Sequence, residues 1–280
     1  MARMKGKVVL ITGGARGIGL ATAENFAKAG STLVLTDLND ESLQAAKHQL
    51  AKYKVPVETF VCNVSNRAEV EKTIQAVIAG HGGIDVLINN AGVGHMGELA
   101  ETSFDAWHLL MDVNFWGPLH HIYAVLPNMI ERGGGRIVNV SSGQAFLQLP
   151  TWGAYSAIKA ALGVFSEVLH WEVRKHDIVV TTVYPYMVNT GLYDEIEGDT
   201  FFGKMAMKLL PLYSQSAETV GRIVFQAVRR GKRVENVSFF NSLFKTARFF
   251  SPIGNTISWV SNAFLSKDAD EADVNGSSTG

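Results

Sequence analysis

The sequence predicts an α/β protein: one doubly wound parallel sheet flanked by helices on both faces, with a helical extension at the carboxyl end. Three observations lead there. Short apolar runs alternate with amphipathic stretches over most of the 280 residues. The apolar runs are rich in Val, Ile and Leu and lack strict polar alternation, as strands buried on both faces of a parallel sheet do. The glycine-rich and polar segments that stand out fall just after these runs, or on the helix that follows. That is the end of the strands where such sheets bind ligands.

In order, residues 8–11 read as a strand and 18–29 as a helix ending near Gly30. Residues 32–36 are the second strand and 41–52 the second helix. The alternation continues through strand 57–61, helix 68–79, strand 86–89, helix 104–130 and strand 136–140. Helix 154–174 and strand 178–183 follow. After Pro185 the pattern loosens, and residues 190–212, of mixed polarity, read as a lid segment. Helix 217–230 is strongly periodic, with Ser216 as its cap.

These elements place one main domain at residues 1–233. Residues 234–266 form a helical extension, and 267–280, acidic and then Gly/Ser-rich, a disordered tail. In the extension Phe239, Phe240, Leu243, Phe244, Ala247 and Phe250 share a helical face, with Lys245 and Arg248 nearby. Packing on the domain or a subunit interface is favoured; an interfacial membrane helix is the alternative.

The formal net charge of −1 argues against nucleic acid as the main partner. A single cysteine, Cys62, excludes an intrachain disulfide framework and suits a reducing cytoplasm. No apolar leader precedes the first strand, and no uncharged apolar run is long enough for a transmembrane helix. His81, His95, His108, His120 and His121 have no metal-ligand spacing, so no metal is expected.

Two motifs carry the chemistry. In Thr12-Gly-Gly-Ala-Arg-Gly-Ile-Gly19, Gly13, Gly17 and Gly19 follow the first strand and open the first helix. Glycine permits positive φ and close backbone approach, and a helix N-terminus offers free N–H groups to a pyrophosphate. In Tyr155-Ser-Ala-Ile-Lys159 a phenol and an ammonium sit at i and i+4, on one helical face. A free tyrosine, with a pKa of about 10, is a poor base near neutrality. A lysine charge ~4 Å away contributes roughly 4 kcal/mol at an effective dielectric near 20, enough to lower it by two or three units.

With Asn89-Asn-Ala-Gly92, Asn114 and Ser142 added, the Gly-x-x-x-Gly-x-Gly and Tyr-x-x-x-Lys spacings resemble the short-chain dehydrogenase/reductase family over roughly residues 5–230. The resemblance implies a Rossmann-like fold, NAD or NADP as cofactor, and hydride transfer to or from a carbonyl or alcohol. It implies Tyr155 as general acid/base and Ser142 orienting the substrate oxygen, with Ser141 the competing candidate. Lys159 would hold the nicotinamide ribose, and Asn114 a water in a proton relay toward the lysine.

For the cofactor, the resemblance implicates Gly13, Arg16, Gly17, Ile18 and Gly19 at the turn, and Asn63-Val64 at the adenine, where relatives usually carry Asp. It implicates Asn90, Ala91 and Gly92 along the adenosine side, and Pro185, Val188 and Thr190 near the carboxamide and phosphate. Asp37, ending the second strand, can accept from the adenosine ribose hydroxyls and would repel a 2′-phosphate. Leu38 follows it where NADP-preferring relatives often carry Arg. Arg16 pulls the other way, and NAD is preferred over NADP.

Tyr186 replaces a common glycine after Pro185 and is expected to shape the substrate pocket with Ser142 and Tyr155. Apolar and aromatic stretches at 146–152 and 186–202 imply a hydrophobic secondary alcohol or ketone. The competing readings are an NADP-dependent carbonyl reductase, a sugar epimerase and a non-catalytic cofactor-binding regulatory protein. A homodimer or homotetramer through the helices bearing Asn114 and Tyr155 is expected from the resemblance.

Overall fold

The computed structural model describes residues 4–146, 150–185, 188 and 215–237. Tyr186, Thr190, the whole of the expected lid at 190–212 and the chain from 238 lie outside the described residues.

Seven strands form one parallel sheet: β1 (Val8–Thr12), β2 (Thr32–Asp37), β3 (Val57–Val61), β4 (Val86–Asn89), β5 (Gly135–Val140), β6 (Ile178–Tyr184) and β7 (Val234–Asn236). Their order is β3-β2-β1-β4-β5-β6-β7. Strand β1 pairs with both β2 and β4, so the winding reverses between β1 and β4 and opens a crevice at their carboxyl ends.

Helices α1 (Gly17–Lys28), α2 (Asp40–Leu50) and α7 (Ala217–Arg230) cover one face. Helices α3 (Arg67–His81), α5 (Gly117–Glu131) and α6 (Gly153–Val173) cover the other. Helix α4 (Phe104–Met111) lies toward α6, over the carboxyl end.

Burial on both faces explains the unbroken apolar strands. Val9 and Ile11 of β1 join Phe26 of α1 and Val224 of α7. Their neighbours Val8 and Leu10 point the opposite way, to Ile74 of α3, Val125 of α5 and Leu169 of α6. Helices α1 and α7 touch closely because Gly221 sits against the backbone of Ala21 and Thr22, while Phe26 and Phe225 meet edge to face at 5.0 Å. Ser216 caps α7 by accepting from the Thr219 N–H.

Two expectations are corrected. The helix read over 104–130 is two helices joined by a π turn, Asp112–Trp116, in which the Gly117 N–H reaches back five residues to the Asp112 carbonyl. Pro118 has no N–H to give the Asn114 carbonyl four residues earlier, so the α pattern cannot run through this point. The main domain does not end at 233: Val234–Asn236 add β7 to the edge of β6, in the register Thr182↔Val234. Three residues containing Glu and Asn carry too little hydrophobic periodicity to announce a strand.

Candidate active site

The glycine turn is built from outside as well as from within. Gly13 and Gly17 have φ of +59° and +55°, a region that favours glycine. A Cβ on Gly13 would lie 2.9 Å from the Ala91 Cα, and one on Gly19 would run into the Gly13 carbonyl and the Asn90 side chain. Asn90 holds the turn: its Nδ2 donates to the carbonyls of Thr12 and Gly13, both at 3.0 Å. Thr12 Oγ1 in turn accepts from the backbone N–H groups of Asn90 and Ala91, also at 3.0 Å. No side chain caps the first turn of α1 and no acidic residue lies in it. Its N–H groups and partial positive charge thus face the crevice, which suits a pyrophosphate.

At the far end of the crevice Asp37 closes β2. Its carboxylate accepts from the N–H groups of Ala15 (3.2 Å) and Leu38 (2.8 Å), which orients it beside the glycine turn. Asn63 follows β3. Its Oδ1 already accepts from the Ser65 N–H at 3.0 Å, so what this residue has to offer an adenine is the Nδ2 donor. An aspartate in the same place would offer only acceptors.

The other end holds the chemical groups. Tyr155 and Lys159 are buried on the first turns of α6. The Lys159 Nζ donates to the Val140 carbonyl at 3.1 Å and lies 5.7 Å from the centre of the Tyr155 ring. Ser142, just beyond β5, lies beside the Tyr155 phenol and favours its ionised form. Its Oγ accepts from the Gln144 N–H at 3.2 Å. Ser141 is used differently: its hydroxyl donates to the Lys159 carbonyl at 2.7 Å, fastening α6 to the end of β5.

Asn114 is fully buried in the π turn. Its Oδ1 accepts from the Val93 N–H at 3.2 Å and its Nδ2 donates to the Val93 carbonyl at 2.9 Å. Those bonds fix the side chain, and the main-chain carbonyl, which Pro118 leaves without its α-helical donor, is a further acceptor at this point. Gly92 lets these groups converge: a Cβ there would lie 2.8 Å from Asn114 Oδ1 and 3.4 Å from Lys159 Nζ.

The electrostatics overturn one expectation. Burial raises the Tyr155 phenol to about 12, with only the Ser142 hydroxyl opposing. Burial also lowers Lys159 to about 8. The chain alone therefore does not produce the acidic phenol expected from the Tyr–Lys spacing: loss of water dominates, and Lys159 is itself neutral by the pH at which the phenol would ionise. A positive nicotinamide ring is a charge these residues do not themselves supply.

One cavity of about 440 Å³ collects these positions. Of the expected residues, Gly13, Arg16, Gly17, Ile18, Asp37, Leu38, Asn63, Val64, Asn90, Ala91, Gly92, Ser142, Tyr155, Lys159, Pro185 and Val188 line it. Gly19 lies behind the turn and Asn114 behind Gly92.

The lining also includes Ser141, the candidate that competes with Ser142 in the sequence, and Cys62, Ser65, Val93, Leu109, Val113 and Val140, none of them assigned to the site from sequence. Most adjoin a residue that was. Leu109 and Val113 are four apart on the helix leading to Asn114, and that spacing could have found them. Burial pushes the Cys62 thiol up, so it is not a reactive group.

Beyond the Tyr155 ring the surroundings are apolar. Trp152 meets it edge-on at 5.7 Å, and Leu110, Met96, Trp107, Met111 and Phe115 pack around the pair. Phe146 rests on Tyr184 at 4.5 Å. His120 and His121 are spent on the carbonyls of Val64 (3.0 Å) and Gly117 (2.9 Å), and burial holds His121 at about 4, hence neutral. Among the described residues no helix is long and apolar enough to cross a membrane.

A glycine turn opening onto a helix N-terminus, with a buried Tyr–Lys pair at the other end of the same crevice, defines a class: NAD(P)-dependent oxidoreductases built on a doubly wound sheet. Residues 7–200 match the short chain dehydrogenase family, and the chain belongs to it.

A fatty acyl-CoA reductase of Acinetobacter baylyi is 33% identical over 234 residues, covering 82% of this chain and 76% of the relative. A D-threitol dehydrogenase of Mycolicibacterium smegmatis is 36% identical over 213 residues, covering 75% and 80%. A short chain dehydrogenase/reductase from Burkholderia phymatum, solved in complex with NAD, superimposes with a TM-score of 0.78 at 29% identity. That match covers 85% of this chain and 90% of the other.

Proposed function

We propose that the protein interconverts a hydrophobic secondary alcohol and its ketone, with NAD preferred over NADP. The observation that carries this reading is a single cavity joining the glycine turn and Asp37 to Ser142, Tyr155 and Lys159. The nicotinamide cofactor supplies the hydride acceptor or donor.

The chain's residues do the rest. The Gly13–Gly19 turn and the N–H groups of α1 hold the pyrophosphate, while Asp37 accepts from the adenosine ribose and disfavours a 2′-phosphate. Ser142 orients the substrate oxygen and Tyr155 takes or returns its proton. Lys159 supplies positive charge beside the phenol, and the Asn114 carbonyl holds a water on the path by which the proton leaves.

The apolar shell of Trp152, Leu110, Met96 and Trp107 supports a hydrophobic substrate. The two enzyme relatives point apart here, since one is named for a fatty acyl thioester and the other for a polyol. The choice therefore rests on the apolar packing around the Tyr155 ring. Tyr123 of α5 and Val164, Val168 and Trp171 of α6 are exposed, and they support a homo-oligomer formed through these helices.

The test combines the protein with NAD or NADP and a panel of hydrophobic alcohols and ketones, following reduced-cofactor absorbance. Turnover with NAD is expected, and Tyr155→Phe should abolish it while leaving cofactor affinity within a few-fold. Turnover retained in that variant, or none across the panel in either direction with either cofactor, would overturn the reading.

A further inference from the structure

A buried polar chain crosses the sheet beneath the candidate site. The Ser166 hydroxyl, on α6 about two turns beyond Lys159, donates to the Leu162 carbonyl at 2.6 Å. The same oxygen accepts from Asn139 Nδ2 at 2.8 Å. Asn139 Oδ1 accepts from Asn89 Nδ2, again at 2.8 Å, and that amide group also reaches the Pro118 carbonyl at 3.5 Å. Asn139 and Asn89 are register partners on β5 and β4, and Asn139, Ser166 and Asn89 are all buried.

The chain therefore runs from α6, which carries Tyr155 and Lys159, through two strands to the first turn of α5. That turn directly follows the π turn carrying Asn114. Three polar residues in a dry core are costly unless partnered, and of their side-chain oxygens only Asn89 Oδ1 has no partner among the described residues. Apolar residues of the same size would fill the space and would leave the helices free to settle by packing alone. Hydrogen bonds, unlike packing, fix both distance and direction. Together with Ser141 on the Lys159 carbonyl and Lys159 on the Val140 carbonyl, the chain fastens α6 to β5 at the end of the reactive turn and again two turns beyond it.

We propose that Ser166 and Asn139 are positioning residues, which set the placement of Tyr155 and Lys159 on α6 relative to Asn114 on the π turn. The inference rests on the role given above to those three residues. Neither Ser166 nor Asn139 touches substrate or cofactor.

The test compares the full-length parent with Ser166→Ala, Asn139→Val and the double variant. Val77→Ala in α3, which opens a cavity in the same core layer away from the site, is the control for lost stability alone. Ser166→Ala should lower kcat between about tenfold and a hundredfold, the range expected when reacting groups shift by a fraction of an ångström to one ångström. Cofactor affinity should hold within twofold. The double variant should be no slower than the slower single variant, because both break one chain. Ser166→Thr, which keeps the hydroxyl, should recover most of the rate. Val77→Ala should lose stability but not kcat.

A readout independent of turnover is the titration of Lys159 in isotope-labelled protein. Its midpoint should move upward in Ser166→Ala, as a loosened α6 admits water, and stay put in Val77→Ala. A kcat per folded molecule within twofold of the parent, together with an unmoved Lys159 midpoint, would overturn the proposal. An inactive parent would instead defeat the functional reading, and the Lys159 midpoint alone would then decide the positioning.

Discussion

Replacing Lys159 by methionine removes a positive charge beside Tyr155 while keeping most of the side chain's bulk. Below about pH 8, where Lys159 is protonated, its Nζ 5.7 Å from the ring centre stabilises a phenolate by about 3 kcal/mol at an effective dielectric near 20. In the oxidation direction the phenol acts as base, so the rate climbs with pH as it ionises. Losing the cation removes that stabilisation, so alcohol oxidation should be roughly a hundredfold slower below about pH 8, and the deficit should shrink above it as the parent's lysine itself loses its proton. The assay is kcat/KM for alcohol oxidation across pH, with cofactor affinity measured separately to remove any loss of ribose contacts.

The same variant has a second signature. Burial lowers Lys159 from 10.5 to about 8, so the unfolded chain holds this proton more readily than the folded one. The charged lysine therefore costs stability fully below about pH 8, and the cost fades as pH rises toward 10.5. Lys159→Met should be more stable than the parent at pH 7, by up to about 3 kcal/mol, and the gain should shrink above pH 8. A rate deficit that does not shrink above pH 8, or a variant less stable than the parent at pH 7, would refute the electrostatic account.

Three further outcomes follow from other parts of the structure. Asp37→Ser removes the carboxylate that would oppose a 2′-phosphate, and the ratio of kcat/KM for NADP over NAD should rise by at least about tenfold; an unchanged ratio would place cofactor choice elsewhere. Gly221→Ala puts a Cβ 2.6 Å from the Ala21 carbonyl carbon and 2.7 Å from the Thr22 nitrogen, so α7 must back away from α1. Urea unfolding should show a loss of about 1–3 kcal/mol. Thr151, at a φ of +67°, is a β-branched residue in the left-handed region, and its carbonyl accepts from the Gly97 N–H at 2.8 Å. Thr151→Gly keeps that bond and relieves the backbone, so stability should rise by about 1 kcal/mol in the same urea assay.

Much of this architecture is legible in the residues because each strand is buried on both faces. Val8 to Ile11 needs no tertiary knowledge to read as a strand, since every side chain faces a layer of helices. The glycine spacing is equally plain, because steric exclusion at Gly13 and Gly19 leaves no alternative residue. Other features depend on contacts that no local pattern records. The π turn at Asp112–Trp116 keeps an apolar rhythm close enough to α-helical that only Pro118 hints at the break. Strand β7 exists because the β6 edge accepts it. Tyr155 and Lys159 announce their pairing by spacing, but the direction of the phenol's shift depends on how completely α6 and β5 exclude water. Asn139 and Ser166, 27 residues apart, read as an unremarkable strand amide and helix hydroxyl until the sheet brings them to 2.8 Å.

Asn90 has a consequence for how the crevice can respond to what enters it. By bonding to Thr12 and Gly13 from the end of β4, it stitches the two halves of the sheet together at their point of divergence. The cleft floor is thus set before any guest arrives, and a dinucleotide meets amides already aimed, with little ordering left to offset its affinity. Adjustment to guests of different shape must then come from the rim, while the floor stays still.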